Sequence, residues 1–173
     1  MTIIGNPNPK FTYGFNTSFE YKNFTLDASF NGVYGNQILN ANLRDQATPS
    51  MQSANLRENV FENMWSSTNA SNKYPSPSKN IPNVVTDRYI ENGSFLRLSN
   101  LTLGYKLPAS VVKRLGLSSI NIYATGQNLL LITKYSGFDP EVNSFAFDGL
   151  RPGIDLNSFP NARVYVLGLN VNF

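Results

Sequence analysis

The sequence predicts an all-β chain whose strands, about five and antiparallel, belong to the C-terminal part of a large transmembrane β-barrel, with a short helix in a long extracellular loop. Three observations predict it. Apolar and aromatic residues alternate with polar ones over runs of about ten residues, a length that crosses a bilayer when tilted. The connections between those runs are short, long, short and long in turn. The last run ends on an aromatic residue, Phe173, in final position.

The first run sets Phe11, Tyr13, Phe15, Phe19 and Tyr21 against Thr12, Gly14, Asn16, Ser18 and Glu20. After Lys22-Asn23 the alternation restarts on even positions, Phe24, Leu26, Ala28, Phe30 and Tyr34, as a tight hairpin requires. Residues 41 to 93 lose the period. Asn55 to Trp65 reads as a short helix, and Lys73 to Asn83 carries Pro75, Pro77 and Pro82 among Ser, Lys and Asn, so the segment is a long loop. A third strand runs from Phe95 to Leu107, with Leu101, Leu103, Tyr105 and Leu107 opposite Asn100, Thr102, Gly104 and Lys106. Pro108 to Leu117 reads as a turn with a helical kink. Ile120, Ile122 and Ala124 then alternate with Asn121, Tyr123 and Thr125 to about Thr133, a second long loop covers Lys134 to Asn161, and Ala162 to Phe173 forms the fifth strand.

Short connections belong in the periplasm and long ones outside the cell, which places Phe173 on the periplasmic side. About five strands do not close a barrel, and an open edge in lipid leaves backbone groups unpaired at several kcal/mol each. The opening residues, Met1-Thr2-Ile3-Ile4-Gly5, lack the parts of a secretory signal. The remaining strands are therefore expected upstream of Met1, with residues 1–173 as one incomplete barrel segment.

Composition narrows the chemistry. The chain is 13% aromatic, with twelve Phe and nine Tyr, which favours strands. It contains no Cys and no His, so thiolate or imidazole metal sites, Ser-His-Asp triads and cysteine nucleophiles lack their parts. An enzyme is not expected, nor any cofactor. Fourteen Lys and Arg give a net charge of only +3 and are scattered, so nucleic acid is not an expected partner. No run of apolar residues is long enough for a membrane helix, which does not bear on barrels.

In the last strand Tyr165, Leu167, Leu169, Val171 and Phe173 share a face, with Gly168 between them. This resembles the C-terminal assembly signal read by the barrel-insertion machinery of Gram-negative bacteria. Val166 stands where that signal usually carries a polar residue two places before the Gly. Five stretches, in order, resemble the SusC/RagA-type TonB-dependent transporters of Bacteroidetes: Ile4 to Phe11; Phe30 to Asn36; Asp87 to Leu98 with Leu101 to Tyr105; Gly126 to Leu129 with Tyr135 to Glu141; and Pro160 to Phe173. The resemblance implies a barrel of about twenty-two strands, an N-terminal plug with a TonB box, a SusD-type surface lipoprotein as lid, and a glycan or peptide nutrient as cargo. Plug and TonB box lie outside these residues.

On the loops, Trp65, Tyr74, Phe138, Phe145 and Phe147 are candidates for stacking on substrate or touching the lid; the alternative is packing of loop on loop. Asp139, Glu141, Asp148 and Asp155 are acidic neighbours, but they follow no calcium-loop spacing, and Asp139-Pro140 reads better as a turn. Asn-x-Ser/Thr triplets at Asn16, Asn23, Asn69, Asn92 and Asn100 lie mainly in or beside strands, as polar-face residues. Tyr21, Phe24, Tyr105 and Tyr165 suit the aromatic girdles of a barrel. The competing architecture is a soluble β-sandwich carbohydrate-binding module, which would bury the apolar face against a second sheet.

Overall fold

A computed structural model describes residues 2–48, 55–78, 84–141, 144, 145 and 147–173. The chain forms two compact units. One comprises Pro9–Gly35, Ser94–Lys134 and Pro160–Phe173, the other Met1–Asn8, Asn36–Gly93 and Tyr135–Phe159.

The first unit is a single five-stranded antiparallel sheet. In chain order its strands are β1 (Phe11–Tyr21), β2 (Phe24–Tyr34), β5 (Phe95–Lys106), β6 (Ser119–Thr133) and β8 (Val164–Asn172), each paired with the next. All five match the alternating runs of the sequence. Lys22 turns the first hairpin with a φ of 55°, closing Tyr21 onto Phe24. Asn23 then pins the turn to β5: its Nδ2 donates to the Lys106 carbonyl at 2.7 Å, and the Lys106 amide donates back to the Asn23 carbonyl at 2.8 Å. The other short connection contains α3 (Ala109–Arg114), the helical kink expected there. Gly116, at φ 70°, ends it in a Schellman arrangement, with Gly116 N–H on the Lys113 carbonyl and Leu117 N–H on that of Val112.

Residues directly opposite in an antiparallel ladder share a face. Phe15 pairs with Phe30, Phe19 with Leu26, and Tyr21 with Phe24, Tyr105, Ile122 and Leu169 in successive steps across the sheet. One face is therefore apolar from edge to edge. The rings stack along it: Phe15 on Phe30 at 4.5 Å, Phe11 on Tyr34 at 5.1 Å, and Phe24 against Tyr105 at 4.7 Å. The opposite face carries Asn16, Asp27, Asn100, Thr102, Thr125 and Asn170, with the Thr102 and Thr125 hydroxyls 2.9 Å apart. Phe15, Phe19, Phe24, Leu103, Ile122 and Leu167 remain exposed. A sandwich would cover them with a second sheet, and the unit has only one layer.

Two irregularities hold that face together. Ser29 opposes Asn100 while Phe30 opposes Leu98, which leaves Ser99 as an extra residue on β5, its hydroxyl donating to the Ser29 carbonyl at 2.9 Å. This bulge switches the apolar positions of β5 from Leu96 and Leu98 to Leu101, Leu103 and Tyr105 without changing face. On β6, Leu130 opposes Leu98 and Gln127 opposes Asn100, so Asn128, at φ 54°, and Leu129 are inserted as a pair and parity is kept. Gly126 makes room: a Cβ there would lie 2.6 Å from Leu129 Cδ1.

The second unit is built from the N-terminal residues and the two long connections, and it holds structure the sequence period did not reveal. β3 (Gln37–Asn40) pairs antiparallel with β4 (Ile90–Asn92) and parallel with β7 (Ile154–Asp155). α1 (Ala41–Ala47) starts where Asn40 Oδ1 accepts the Leu43 N–H at 2.8 Å. α2 (Glu58–Asn63) is shorter than the expected Asn55 to Trp65, because Trp65 leaves the helix to donate its N–H to the Tyr74 carbonyl at 3.0 Å. A 3-10 turn covers Asp87–Tyr89. Ala47, Val60 and Tyr89 form the apolar centre, flanked by Leu39, Leu43, Leu56 and Tyr74. Pro75 and Pro77 lie in the described stretch after Tyr74, and Pro82 falls outside the described residues.

The two faces make opposite predictions for the same substitution. In lipid, Leu103→Arg is expected to lower the unfolding free energy of the whole barrel by about 2–4 kcal/mol, whereas Ser18→Arg, on the polar face opposite Asp27, should shift it by under about 1 kcal/mol. Denaturant titration into vesicles checks both, and equal effects would reject the assignment of faces.

Candidate functional site

Two carboxylates organise the long connections. Glu91, on β4, accepts the Ser136 N–H at 2.7 Å, the Ser136 hydroxyl at 2.8 Å and the Asn40 amide at 2.9 Å. Asn40 is itself buried, and its other side-chain atom caps α1. Asp155, on β7, accepts the Tyr135 hydroxyl at 2.6 Å, the Asn42 amide at 3.2 Å and the Ser158 N–H at 3.3 Å. Asn42 closes the circuit by accepting the Asn157 N–H at 2.9 Å. Burial pushes the Tyr135 phenol well above its ordinary pKa, and the hydrogen bond to Asp155 and the charges of Asp155 and Glu91 push it further. Such charge-assisted bonds in a partly dry setting are the strong kind. The first long connection is thus clasped to the second at two points.

The glycines of these stretches are fitted to the clasp. A Cβ on Gly137 would enter the Tyr135 ring, and one on Gly93 would lie 2.8 Å from Ile38 Cγ1. Asp139 behaves as a turn residue, its Oδ1 accepting the Glu141 N–H at 2.9 Å. Asp148 does the same for Leu150 at 3.0 Å and meets Arg151 at 3.2 Å. Among the described residues no group of three His, Cys, Asp or Glu side chains is arranged to hold a metal.

The loop aromatics separate by environment. Tyr74 packs on the apolar centre, with the Arg88 guanidinium 6.0 Å from its ring, and Trp65 is half exposed beside it. Phe145 meets Phe147 edge-on at 6.1 Å and Arg151 at 5.6 Å. Phe138 and Phe147 are 81% and 88% exposed. Tyr74 is therefore partly packed and partly open to a cavity, while Phe138 and Phe147 present their rings outward.

On β8 the apolar residues Tyr165, Leu167, Leu169 and Val171 continue the greasy face of the sheet, opposite Gly126, Ala124, Ile122 and Ile120. Leu167 is 85% and Phe173 94% exposed. Gly168 sits on the other face, where the Tyr123 ring of β6 lies across it; a Cβ would run into that ring. Tyr21, Phe24 and Tyr105 share one row at the hairpin end, whereas Tyr165 pairs with Gly126 farther along the ladder.

Comparison with known proteins decides the family. No protein-family model matches the sequence. A TonB-dependent receptor of Formosa agariphila is 39% identical over 175 residues, covering 99% of this chain and 17% of that protein. The TonB-dependent receptor SusC of Bacteroides thetaiotaomicron is 33% identical, covering 99% of this chain and 16% of its own length. The RagAB peptide transporter structure superposes with a TM-score of 0.85 at 29% identity, over 99% of this chain and 18% of the matched one, and its closed-closed state gives 0.83. This chain belongs to the SusC/RagA-type TonB-dependent receptors. It spans less than a fifth of the length of these relatives, and the part it matches is C-terminal barrel. The relatives are named as receptors and importers, none as an enzyme.

In this SusC/RagA-type segment, two of the five stretches that carried the resemblance supply residues of the clasp. Glu91 and Gly93 lie in the third stretch, Tyr135, Ser136 and Gly137 in the fourth. The sequence marked them by likeness; of their partners, Asp155 stood out only as one of several acidic neighbours and Asn40 and Asn42 not at all, because their spacing from Tyr135 and Glu91 follows no period.

Two predictions follow from this geometry. Gly168→Ala should destabilise the folded barrel by about 1–3 kcal/mol through overpacking, and adding Tyr123→Ser should recover most of it; heat-modifiable gel mobility reads both. Tyr135→Phe should weaken the clasp by about 1.5–3 kcal/mol. Because the folded phenol's pKa is raised, the wild-type clasp is fully stabilised below about pH 10 and weakens above it, when the opened phenol ionises and the clasped one does not. Hydrogen exchange at residues 135–141 should show that alkaline loosening in the wild type and not in the phenylalanine variant.

Proposed function

We propose that the chain forms the closing strands of an outer-membrane barrel that imports a nutrient, glycan or peptide, with energy supplied through TonB. The observation that carries the reading is the two-faced single sheet: an unbroken apolar face, exposed from β1 to β8, and a polar face behind it. Outer-membrane lipid is the medium that fits the first, and a hydrated lumen fits the second. The outer ladders of β1 and β8 need partner strands in lipid, and residues 1–173 are then the C-terminal part of a larger barrel whose plug and earlier strands lie elsewhere in the whole protein. The likeness to SusC and to RagAB supports import, by receptors named for TonB dependence and, for RagAB, for peptide.

In this reading the two short connections and Phe173 face the periplasm, and the clasped long connections face outward. Phe138 and Phe147 then offer apolar contacts to a SusD-type surface lipoprotein or to cargo. Tyr165, Leu167, Gly168, Leu169, Val171 and Phe173 serve the barrel-assembly machinery before they serve the finished sheet.

Outer-membrane fractions probed with an antibody against residues 134–161 should show a heat-modifiable band of roughly 100 kDa. A soluble species the size of this chain, 19.2 kDa, would overturn the barrel reading. Phe173→Gln in the whole protein should lower the amount of that band several-fold while leaving cargo affinity of the assembled fraction intact. Normal outer-membrane levels would remove the assembly role.

A further inference from the structure

The first long connection contains a pocket of about 370 Å3 lined by Leu43, Ala47, Asn72, Lys73, Tyr74, Arg88 and Tyr89. Its volume suits one or two sugar or amino-acid residues. Its composition is one-sided: beside Leu43, Ala47 and two tyrosines the lining holds two cations and no acid. Lys73 is steadied by Asn63 Oδ1 at 3.3 Å, and the Arg88 guanidinium lies over the Tyr74 ring at 6.0 Å. Among the described residues neither cation makes an ion pair with a carboxylate. Asp87 does not line this pocket; with Val84 and Thr86 it lines an adjoining cavity that Arg88 and Tyr89 also border. Elsewhere in this unit Arg44 pairs with Asp45 at 2.8 Å and Arg151 with Asp148 at 3.2 Å, while Arg57 donates to the Gln46 side-chain carbonyl at 2.8 Å.

We propose that this pocket binds a carboxylate-bearing ligand, with the acid between Lys73 and Arg88 and the ring or apolar body of the same unit against Tyr74 and Leu43. Arg88 supplies a planar donor fork that matches a carboxylate, and its position over Tyr74 holds that fork in place without neutralising it. Asn72 adds an amide for a neighbouring hydroxyl or peptide group. The chemistry is shared by a uronic acid and by a peptide with a free C-terminus. The proposal rests on the import reading for its purpose, since it names the class of cargo, but the binding itself does not depend on transport.

The test uses the intact receptor purified in detergent, with heat-modifiable mobility showing that the barrel is folded. Calorimetry with digalacturonate and with the tripeptide acetyl-Ala-Ala-Tyr, each beside its neutral counterpart (methyl ester or amide), separates the two sources. At least one acid should bind saturably, with its neutral counterpart about tenfold weaker or more. Arg88→Gln and Lys73→Gln should each weaken that acid by about tenfold, with mobility unchanged, while Arg44→Gln should not. No saturable heat from either acid up to about 10 mM, equal binding of acid and neutral form, or wild-type affinity in the Lys73→Gln/Arg88→Gln double variant would overturn the site. A receptor without a heat-modifiable band would instead overturn the barrel reading.

Discussion

Each side chain of the large sheet takes its place from one constraint: strand parity must agree across every ladder, because a slip of one residue moves a whole strand's apolar set to the other face. In a soluble sheet the penalty is lost core packing. In a membrane-facing sheet it places Asn, Asp and Thr in hydrocarbon and exposes leucines to a hydrated lumen. The bulge at Ser99 matters for this reason, since Leu96 and Leu98 occupy even positions and Leu101, Leu103 and Tyr105 odd ones. One unpaired residue reconciles them. On β6 the insertion of two residues leaves parity untouched, and Gly126 provides the space in which Leu129 folds down.

The sheet adds aromatic rings laid over glycines to this backbone order. Tyr13 reaches across Gly32 to donate its hydroxyl to the Phe95 carbonyl at 3.1 Å, tying β1 to β5 over β2. Tyr123 lies over Gly168 on the opposite face and joins β6 to β8. The glycine of the last strand therefore has a packing role in the finished sheet.

The long connections face a different problem, with one small apolar centre and many backbone groups to satisfy. Their solution is a short mixed sheet and two carboxylates that each collect three donors. This order fixes the support from which the exposed rings of Phe138 and Phe147 and the cations lining the Tyr74 pocket project.

By itself the sequence determined the five long strands, their antiparallel order and the segregation of apolar and polar faces, because a period of two is a local property that neighbouring residues display directly. It also carried the turn at Lys22-Asn23, the kink after Pro108 and the likeness of five ordered stretches to SusC/RagA-type receptors. The tertiary structure alone decided what those stretches do. β3, β4 and β7 are too short to show a period, and they exist because distant segments supply one another's hydrogen-bond partners. Glu91 meets Ser136 across forty-five residues and Asn42 meets Asp155 across one hundred and thirteen. Such pairings leave no trace in local spacing, so the clasp, the shortened α2 and the cationic pocket emerge only when the chain is folded.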